Sequence, residues 1–321
     1  NDIVMGTHGR GVIIIDDISP LRELNQEVLA KNTHFFKTQP FTMLEDSGFA
    51  GSFGAETQFV GQNKSTAARI VYYLKKRHTF GKMTLEIQDM QGNKIISLGP
   101  GKSKGINIVN WGFNTSNPKM AAAKTLSFGG FTSPRVPQGQ YKVVLKKGKQ
   151  TYEHIIETKY DSNSLTTLKE RKEQEALTQT MFAMVEDLAY LVYEIGRIQT
   201  KAKEVITMGG KPAKQAQKTW DALEALRTDL VVTTGDNYVA SAEPELRERM
   251  GELYSNIATS YDRIDGSLKS NFELISEEFT TEKTRFVKIM DKDVKKFYKA
   301  LEKNDLELPV VKTKEVFLAK D

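Results

Sequence analysis

The chain has 321 residues, 39% of them hydrophobic, with 46 Lys and Arg against 41 Asp and Glu. A chain of this length is too long for one small hydrophobic core, which predicts two or three domains. The formal net charge is only +5 and is spread along the chain, which argues against a nucleic-acid partner. The absence of cysteine excludes disulfides, thiolate nucleophiles and Cys-ligated zinc, and since no apolar run reaches roughly 18 residues, we predict no membrane span.

The first twenty residues predict a β-hairpin that belongs to a larger sheet. Two short apolar runs, residues 3–5 and 12–15, flank a turn marked by Gly6, Gly9 and Gly11. A lone two-stranded hairpin is marginally stable at best in water. The hairpin is therefore expected to need further strands.

The motif in this hairpin resembles the closing repeat of bacterial sortilin-like proteins, which carry β-propellers with BNR-type repeats. The resemblance rests on the run Gly6-Thr-His-Gly-Arg-Gly11, the aliphatic strand after it, and the exit Asp16-Asp-Ile-Ser-Pro20. It implies that residues 1–32 are the closing strands of a propeller with a linker. It also implies an upstream propeller fragment of the same protein as a partner, and an extracytoplasmic location: periplasmic, associated with the outer membrane, or secreted.

Residues 33–162 show the alternating pattern of half-buried strands. The predicted strands cover residues 68–75, 83–89, 94–98, 105–113, 141–147 and 151–158. Hairpin turns are expected at Gln91-Gly92-Asn93 and Lys147-Gly148-Lys149. Short strands at this spacing favour an immunoglobulin-like antiparallel β-sandwich.

Two motifs extend the resemblance into this region. They are Gly105-x-Asn-x-Val-x-Trp111 and Val136-Pro-x-Gly-x-Tyr-x-Val143. Both resemble the fibronectin-like sandwich, of the flagellar-hook-cap type, that follows the propeller in the same family. They indicate no particular ligand.

From residue 165 onward the hydrophobic period becomes helical. The first predicted helix spans 165–208, with a seam spaced by 4 and 3 residues: Leu177, Met181, Met184, Leu188, Leu191, Ile195 and Ile198. Further helices are expected at 213–231, from about Pro244 through Ile264, and at 272–303. An antiparallel four-helix bundle over 163–306 with a tail at 307–321 completes an α+β multidomain chain.

The candidate binding residues are His8, Arg10, Asp16 and Asp17, which share the hairpin turn and its exit. Two carboxylates could act as acid and base in a glycosidase, but adjacent strand residues point to opposite faces. A turn-capping role for Asp17 or Ser19, and an ion pair for Arg10, is preferred.

No metal site and no cofactor are predicted. The four histidines are far apart, and the chain has no phosphate loop, nucleophile elbow or metalloprotease helix. The Ser-x-Asp-x-Gly-x-Thr-Trp boxes of propeller repeats are absent as well. The glycosyl-hydrolase label of the family therefore does not transfer, and a non-catalytic role is favoured, although enzymatic activity stays open.

Three functions remain as hypotheses. The first is the C-terminal, non-catalytic region of a sortilin-like propeller protein that binds or scaffolds a protein or peptide in the bacterial envelope. The second is an accessory carbohydrate-binding region of a glycoside hydrolase, which needs a row of exposed aromatic side chains. Trp111 is expected to be buried, and Tyr72 and Tyr73 face opposite ways, so a protein partner is preferred. A chaperone-like bundle is the third.

Overall fold

The computed structural model describes residues 1–9, 11–45, 66–235 and 242–319. It is an α+β protein with about 44% helix, and its antiparallel and mixed sheets do not close into a barrel. The α+β class expected from the sequence is confirmed. The chain divides into two compact units, residues 1–116 with 135–165, and residues 117–134 with 166–321.

The first unit is built mainly of strands. Its strands are β1 (Ile3–Thr7), β2 (Gly11–Ile15), β3 (Thr33–Phe35), β4 (Phe41–Met43), β5 (Ala68–Leu74), β6 (Met83–Gln88), β7 (Lys94–Leu98), β8 (Gly105–Trp111), β9 (Gly139–Lys147) and β10 (Gln150–Tyr160). Two short helices, α1 (Ser19–Glu23) and α2 (Gln26–Ala30), follow the first hairpin.

These strands form three sheets, with orders β1-β2, β4-β10-β9-β6-β7 and β3-β5-β8. The hairpins predicted between β6 and β7 and between β9 and β10 are confirmed. The prediction of a wholly antiparallel arrangement is wrong at one pair, because β4 runs parallel to β10. A tight hairpin forces the two strands that it joins to pair antiparallel. Strand β4 follows β3, which belongs to a different sheet, and no hairpin joins β4 to β10, so parallel pairing is possible there.

The two larger sheets share one hydrophobic core. Tyr141, Val143 and Leu145 of β9 enter it on one face, as the alternation predicted, and meet side chains such as Ile70 and Trp111 of the three-stranded sheet. The opposite face of that sheet is covered by α2, and its Val28 packs with Val71 and Tyr73. Strand β5 is therefore buried on both faces.

The second unit is mainly helical. Its helices are α3 (Leu168–Met208), α4 (Ala213–Leu230), α5 (Leu246–Thr259), α6 (Gly266–Ile289), α7 (Lys295–Glu302) and α8 (Lys314–Leu318). A capping box of Thr167 and Glu170 starts α3, and Gly209 ends it. Helix α6 begins six residues before the predicted 272 because the Asp265 side chain accepts a hydrogen bond from the Leu268 amide.

The predicted seam of α3 lies in the core of this unit. Met181, Leu188 and Ile195 are at most 1% exposed. One π turn, Met290–Val294, joins α6 to α7 where a single continuous helix was expected. None of the helices described combines the length and the apolar character that crossing a bilayer needs.

Residues 117–134 leave the strand-rich unit and pack with the helices. The sequence pattern predicts this segment as part of the range 33–162. Its two ends are adjacent, because Asn114 and Arg135 form a β-bridge. Helix α5 holds the segment through Arg247, which donates to Ala121 O (2.8 Å), and Tyr254, which donates to Thr132 O (3.0 Å).

Candidate functional site

The hairpin of β1 and β2, called the ribbon below, is the candidate site. In its register Ile3 lies opposite Ile15 and Met5 opposite Ile13, while Val4 lies opposite Ile14. Side chains alternate between the two faces of a strand. Four large apolar residues therefore share one face and three share the other: Ile3, Met5, Ile13 and Ile15; then Val4, Val12 and Ile14.

Both faces of the ribbon are uncovered. The seven apolar side chains are between 37% and 65% exposed, and the three valine and isoleucine residues of the second face are the most exposed. Among the described residues, neither outer edge of the ribbon pairs with another strand. Continuous apolar runs of this kind are typical of strands that are buried on both faces.

The base of the ribbon is fixed to its own unit. The Ile18 amide donates to Asn1 O (2.9 Å) and the Asp17 amide to Asp2 Oδ1 (2.9 Å). Arg69 of β5 donates to Asp16 O (3.0 Å), which ties the exit of β2 to the three-stranded sheet. The ribbon therefore projects from an anchored base with its apolar faces outward.

The structure places His8, Asp16 and Asp17 at the two ends of β2. His8 is exposed in the turn, whereas Arg10 lies outside the described residues. Asp16 and Asp17 lie together in the exit turn. The backbone of Asp17 is left-handed (φ 50°), and its Oδ1 accepts the Ser19 amide at 3.1 Å. This is the turn-capping contact that was preferred for Asp17.

The helix after the ribbon ends in a small polar cluster. Glu23 accepts hydrogen bonds from Lys37 N (3.1 Å) and contacts His34 Nε2 (2.8 Å). Burial acts to raise the pKa of Glu23, but the hydrogen bonds to His34 and Lys37 outweigh it and hold the pKa below its ordinary value. The carboxylate is therefore kept charged, and it links α1 to β3.

The arrangement suits recognition through apolar area and free strand edges. No three His, Asp or Glu side chains converge as metal ligands in the part of the chain that the structure describes. Protein-family models, curated proteins and solved structures were compared with this chain, and none of them matches.

The sequence pattern predicted the ribbon itself but missed Arg69. Its only signal is one cationic residue in the otherwise apolar strand β5.

Proposed function

We propose that the chain is a non-catalytic C-terminal region of a sortilin-like propeller protein of the bacterial envelope. In this proposal the ribbon binds a protein or peptide partner, including the upstream propeller fragment of the same protein. The two-sheet unit then corresponds to an immunoglobulin-like sandwich, and the helical unit to a four-helix bundle. The observation that carries the proposal is the exposure of both apolar faces of the ribbon.

The exposed area gives a partner a substantial driving force. Burying a valine or isoleucine side chain fully stabilises by about 1.5–3 kcal/mol, and the seven side chains start about half exposed, so their burial supplies roughly 5–10 kcal/mol. Association itself costs at least about 4 kcal/mol in lost freedom. Burial of both faces therefore favours a complex, whereas burial of one face alone gives little net gain.

The free edges add a second mode of recognition. A strand that joins an open edge gains backbone hydrogen bonds, and pockets between alternate side chains then provide specificity. A propeller blade offers both components, since it supplies neighbouring strands at the edges and packed sheets at the faces. A short peptide would supply only the edge.

The carbohydrate-binding alternative has less support. A sugar platform needs aromatic rings that face solvent. Trp111 is fully buried and donates to Asn114 O, and Tyr73 is 7% exposed beneath α2. These were the side chains that the carbohydrate hypothesis required.

The first test is the coding sequence upstream of Asn1. We expect it to encode repeats with Ser-x-Asp-x-Gly-x-Thr-Trp boxes. Those repeats, expressed as a separate polypeptide, should then co-elute with this chain in size-exclusion chromatography. An upstream sequence without such repeats would contradict the propeller origin.

A matched pair of variants locates the binding surface. Ile13 in the ribbon and Ile155 in β10 are similarly exposed, at 46% and 51%. Ile13→Lys should abolish co-elution, whereas Ile155→Lys should leave it unchanged. Equal effects of the two variants would exclude the ribbon as the binding surface, and saturable polysaccharide binding by the full chain would favour the carbohydrate alternative.

A further inference from the structure

The helical unit contains a groove of about 1140 Å³ along α3. Its floor runs from Ala189 to Met208, which is roughly 28 Å at the helical rise of 1.5 Å per residue. Trp220 and Arg227 of α4 and Met120 of the segment 117–134 also line it. The groove has the length of a five-turn helix.

The centre of the floor is a glycine inside a long helix. Gly196 lies in the middle of α3, where glycine is less favourable than alanine by about 1 kcal/mol. A Cβ placed on Gly196 would meet nothing within 4 Å. Packing among the described residues therefore does not require glycine here. A second helix lying in the groove could bring its backbone close to α3 only at a residue without a side chain.

A buried polar atom of the groove also lacks a partner. Gln199 is 2% exposed and lines the groove; its Nε2 donates to Glu224 at 2.6 Å. No described group donates to its Oε1. Buried polar atoms are normally hydrogen-bonded. This atom lies beneath the groove surface, out of reach of a ligand, so the case for a ligand rests on the other features of the groove.

One end of the groove already accepts a side chain from a helix. The short helix α8 places Phe317 in the lining, with its ring stacked on Tyr193 at 4.7 Å between centroids. Lys119 Nζ lies 4.1 Å from the centre of the same ring. The chain itself thus shows that an aromatic residue on a helical segment fits this site.

The charges that line the groove are mainly positive. Lys119, Arg197, Lys203 and Arg227 line it, against the single carboxylate of Glu204. Arg197 is neutralised by its ion pair with Glu194, and Arg227 lies 3.9 Å from a carboxylate oxygen of Glu224. Lys119 and Lys203 remain as the excess of cations. This distribution favours a partner with negative charge beside its apolar face.

We propose that this groove binds an amphipathic, acidic α-helix of a partner protein. The partner's apolar residues would contact Trp220 and the small residues of the α3 floor, and its carboxylates would face Lys203. Helices that lie in hydrophobic grooves bind in this way, through anchors spaced three and four residues apart. The site is independent of the ribbon, so it goes beyond the proposed function.

Titration calorimetry of the full chain with a synthetic helical peptide tests the proposal. The probe has about 18 residues, which matches five helical turns, with leucine and phenylalanine on one face and glutamate on the others; a second probe has lysine at every glutamate position. We expect saturable binding of the glutamate peptide, and binding weaker by at least about tenfold for the lysine peptide. Failure of the glutamate peptide to saturate would overturn the proposal.

Two substitutions on α3 form the matched control. Gly196→Phe fills the groove, whereas Ala183→Phe adds the same ring at an exposed position of α3 that does not line it. We expect Gly196→Phe to weaken binding by at least about tenfold, equivalent to 1.4 kcal/mol, and Ala183→Phe to change it by less than about twofold. Equal weakening by both would overturn the proposal.

A third variant covers the case in which Gly196→Phe does not fold. Lys203 is exposed and forms no ion pair within the described residues, so Lys203→Glu should preserve the fold. It should lower the preference for the glutamate peptide over the lysine peptide, and an unchanged preference would contradict the charge complementarity. Self-association of the wild-type chain that Gly196→Phe abolishes would assign the groove to a second copy instead and overturn the partner helix.

Discussion

Gly129 and Gly251 pack backbone against backbone, so that a Cβ placed on Gly129 would lie 2.8 Å from Gly251 Cα. This contact joins the segment 117–134 to α5. The buried Arg247 and Tyr254 hydrogen bonds lie on either side of it along the same face of α5. One face of α5 therefore packs against the segment 117–134, which connects β8 to β9.

The closeness of this contact predicts that Gly129→Ala destabilises the helical unit. Its backbone φ is not positive, so the cost is steric. The atoms it would meet belong to the backbone of α5 and cannot rotate away, so we expect a loss of about 1–3 kcal/mol. Chemical denaturation followed by circular dichroism at the helical signal measures it.

Gly196→Ala is the control for this prediction. No described neighbour meets a Cβ on Gly196, and alanine is the better helix former. The substitution should therefore raise the free energy of unfolding by about 0.5–1 kcal/mol. The same sign for both variants would contradict the close contact between Gly129 and Gly251.

The sequence predicted the strands and helices that are long enough to show a hydrophobic period. Strand β6 alternates over six residues, and α3 carries its seam over several turns. Strand β5 was located by its apolar residues, but the predicted half-buried pattern is wrong there, because α2 covers its second face. By contrast β3 and β4 have three residues each, too few to show a period, and they were missed.

The missed contacts depend on residues far apart in sequence. Residues 117–134 have no periodicity, and α5 binds them through backbone carbonyls of Ala121 and Thr132, which no residue pattern reveals. The ribbon was predicted because its glycine turn and apolar runs are local. The hydrogen bond from Arg69 to Asp16 O that anchors the ribbon was not predicted, because the two residues are 53 positions apart.

The buried seam predicts a large loss of stability for Leu188→Ala. Leu188 is 1% exposed within the helical core, so truncation removes burial and leaves a cavity, at a cost of about 2–5 kcal/mol. Lys172→Ala, at an exposed position of α3, should stay within about 0.5 kcal/mol. Similar losses at Leu188 and Lys172 in denaturant titrations would contradict the predicted seam.

His154 predicts a pH dependence for the strand-rich unit. Burial is the main cause that lowers the pKa of His154 below 6.5; His34 lowers it further, and Glu23 opposes the shift. The ring also contacts Thr38 Oγ1 at 3.2 Å and stacks on Phe35. The folded state therefore binds this proton less readily than the unfolded chain, so its stability is greatest above pH 6.5 and falls as the pH drops toward the folded pKa.

Thermal unfolding of the full chain between about pH 8 and about pH 5 measures this effect. The midpoint of the strand-rich transition should fall as the pH decreases. His154→Gln should flatten the dependence, and an NMR titration should give a pKa for His154 below 6.5. A measured pKa above that value would contradict the prediction.

The ion pairs of Asp187 help to hold α8 in place. Its carboxylate pairs with Lys283 of α6 (3.2 Å) and with Lys314 of α8. Burial acts to raise the pKa of Asp187, but the hydrogen bonds from Lys314 and Lys283 outweigh it and lower the pKa below 3.8. The contribution of these pairs is therefore complete above pH 3.8 and is lost as the pH falls through the lower pKa of the folded state.

Asp187→Asn should loosen α8 at neutral pH. Both ion pairs are partly exposed and screened by solvent, so we expect a loss of only about 0.5–1 kcal/mol, or roughly two- to fivefold faster amide hydrogen exchange in α8. Glu173→Gln removes a comparable pair with Lys269 (2.6 Å) that does not involve α8, and it should leave that exchange unchanged. As the pH falls below the lowered pKa of Asp187, the wild-type chain should lose its advantage over Asp187→Asn, because both then carry a neutral side chain at this position. An α8 that exchanges equally fast in both chains at neutral pH would show that the stacking of Phe317 on Tyr193, and not the carboxylate, holds the helix in place.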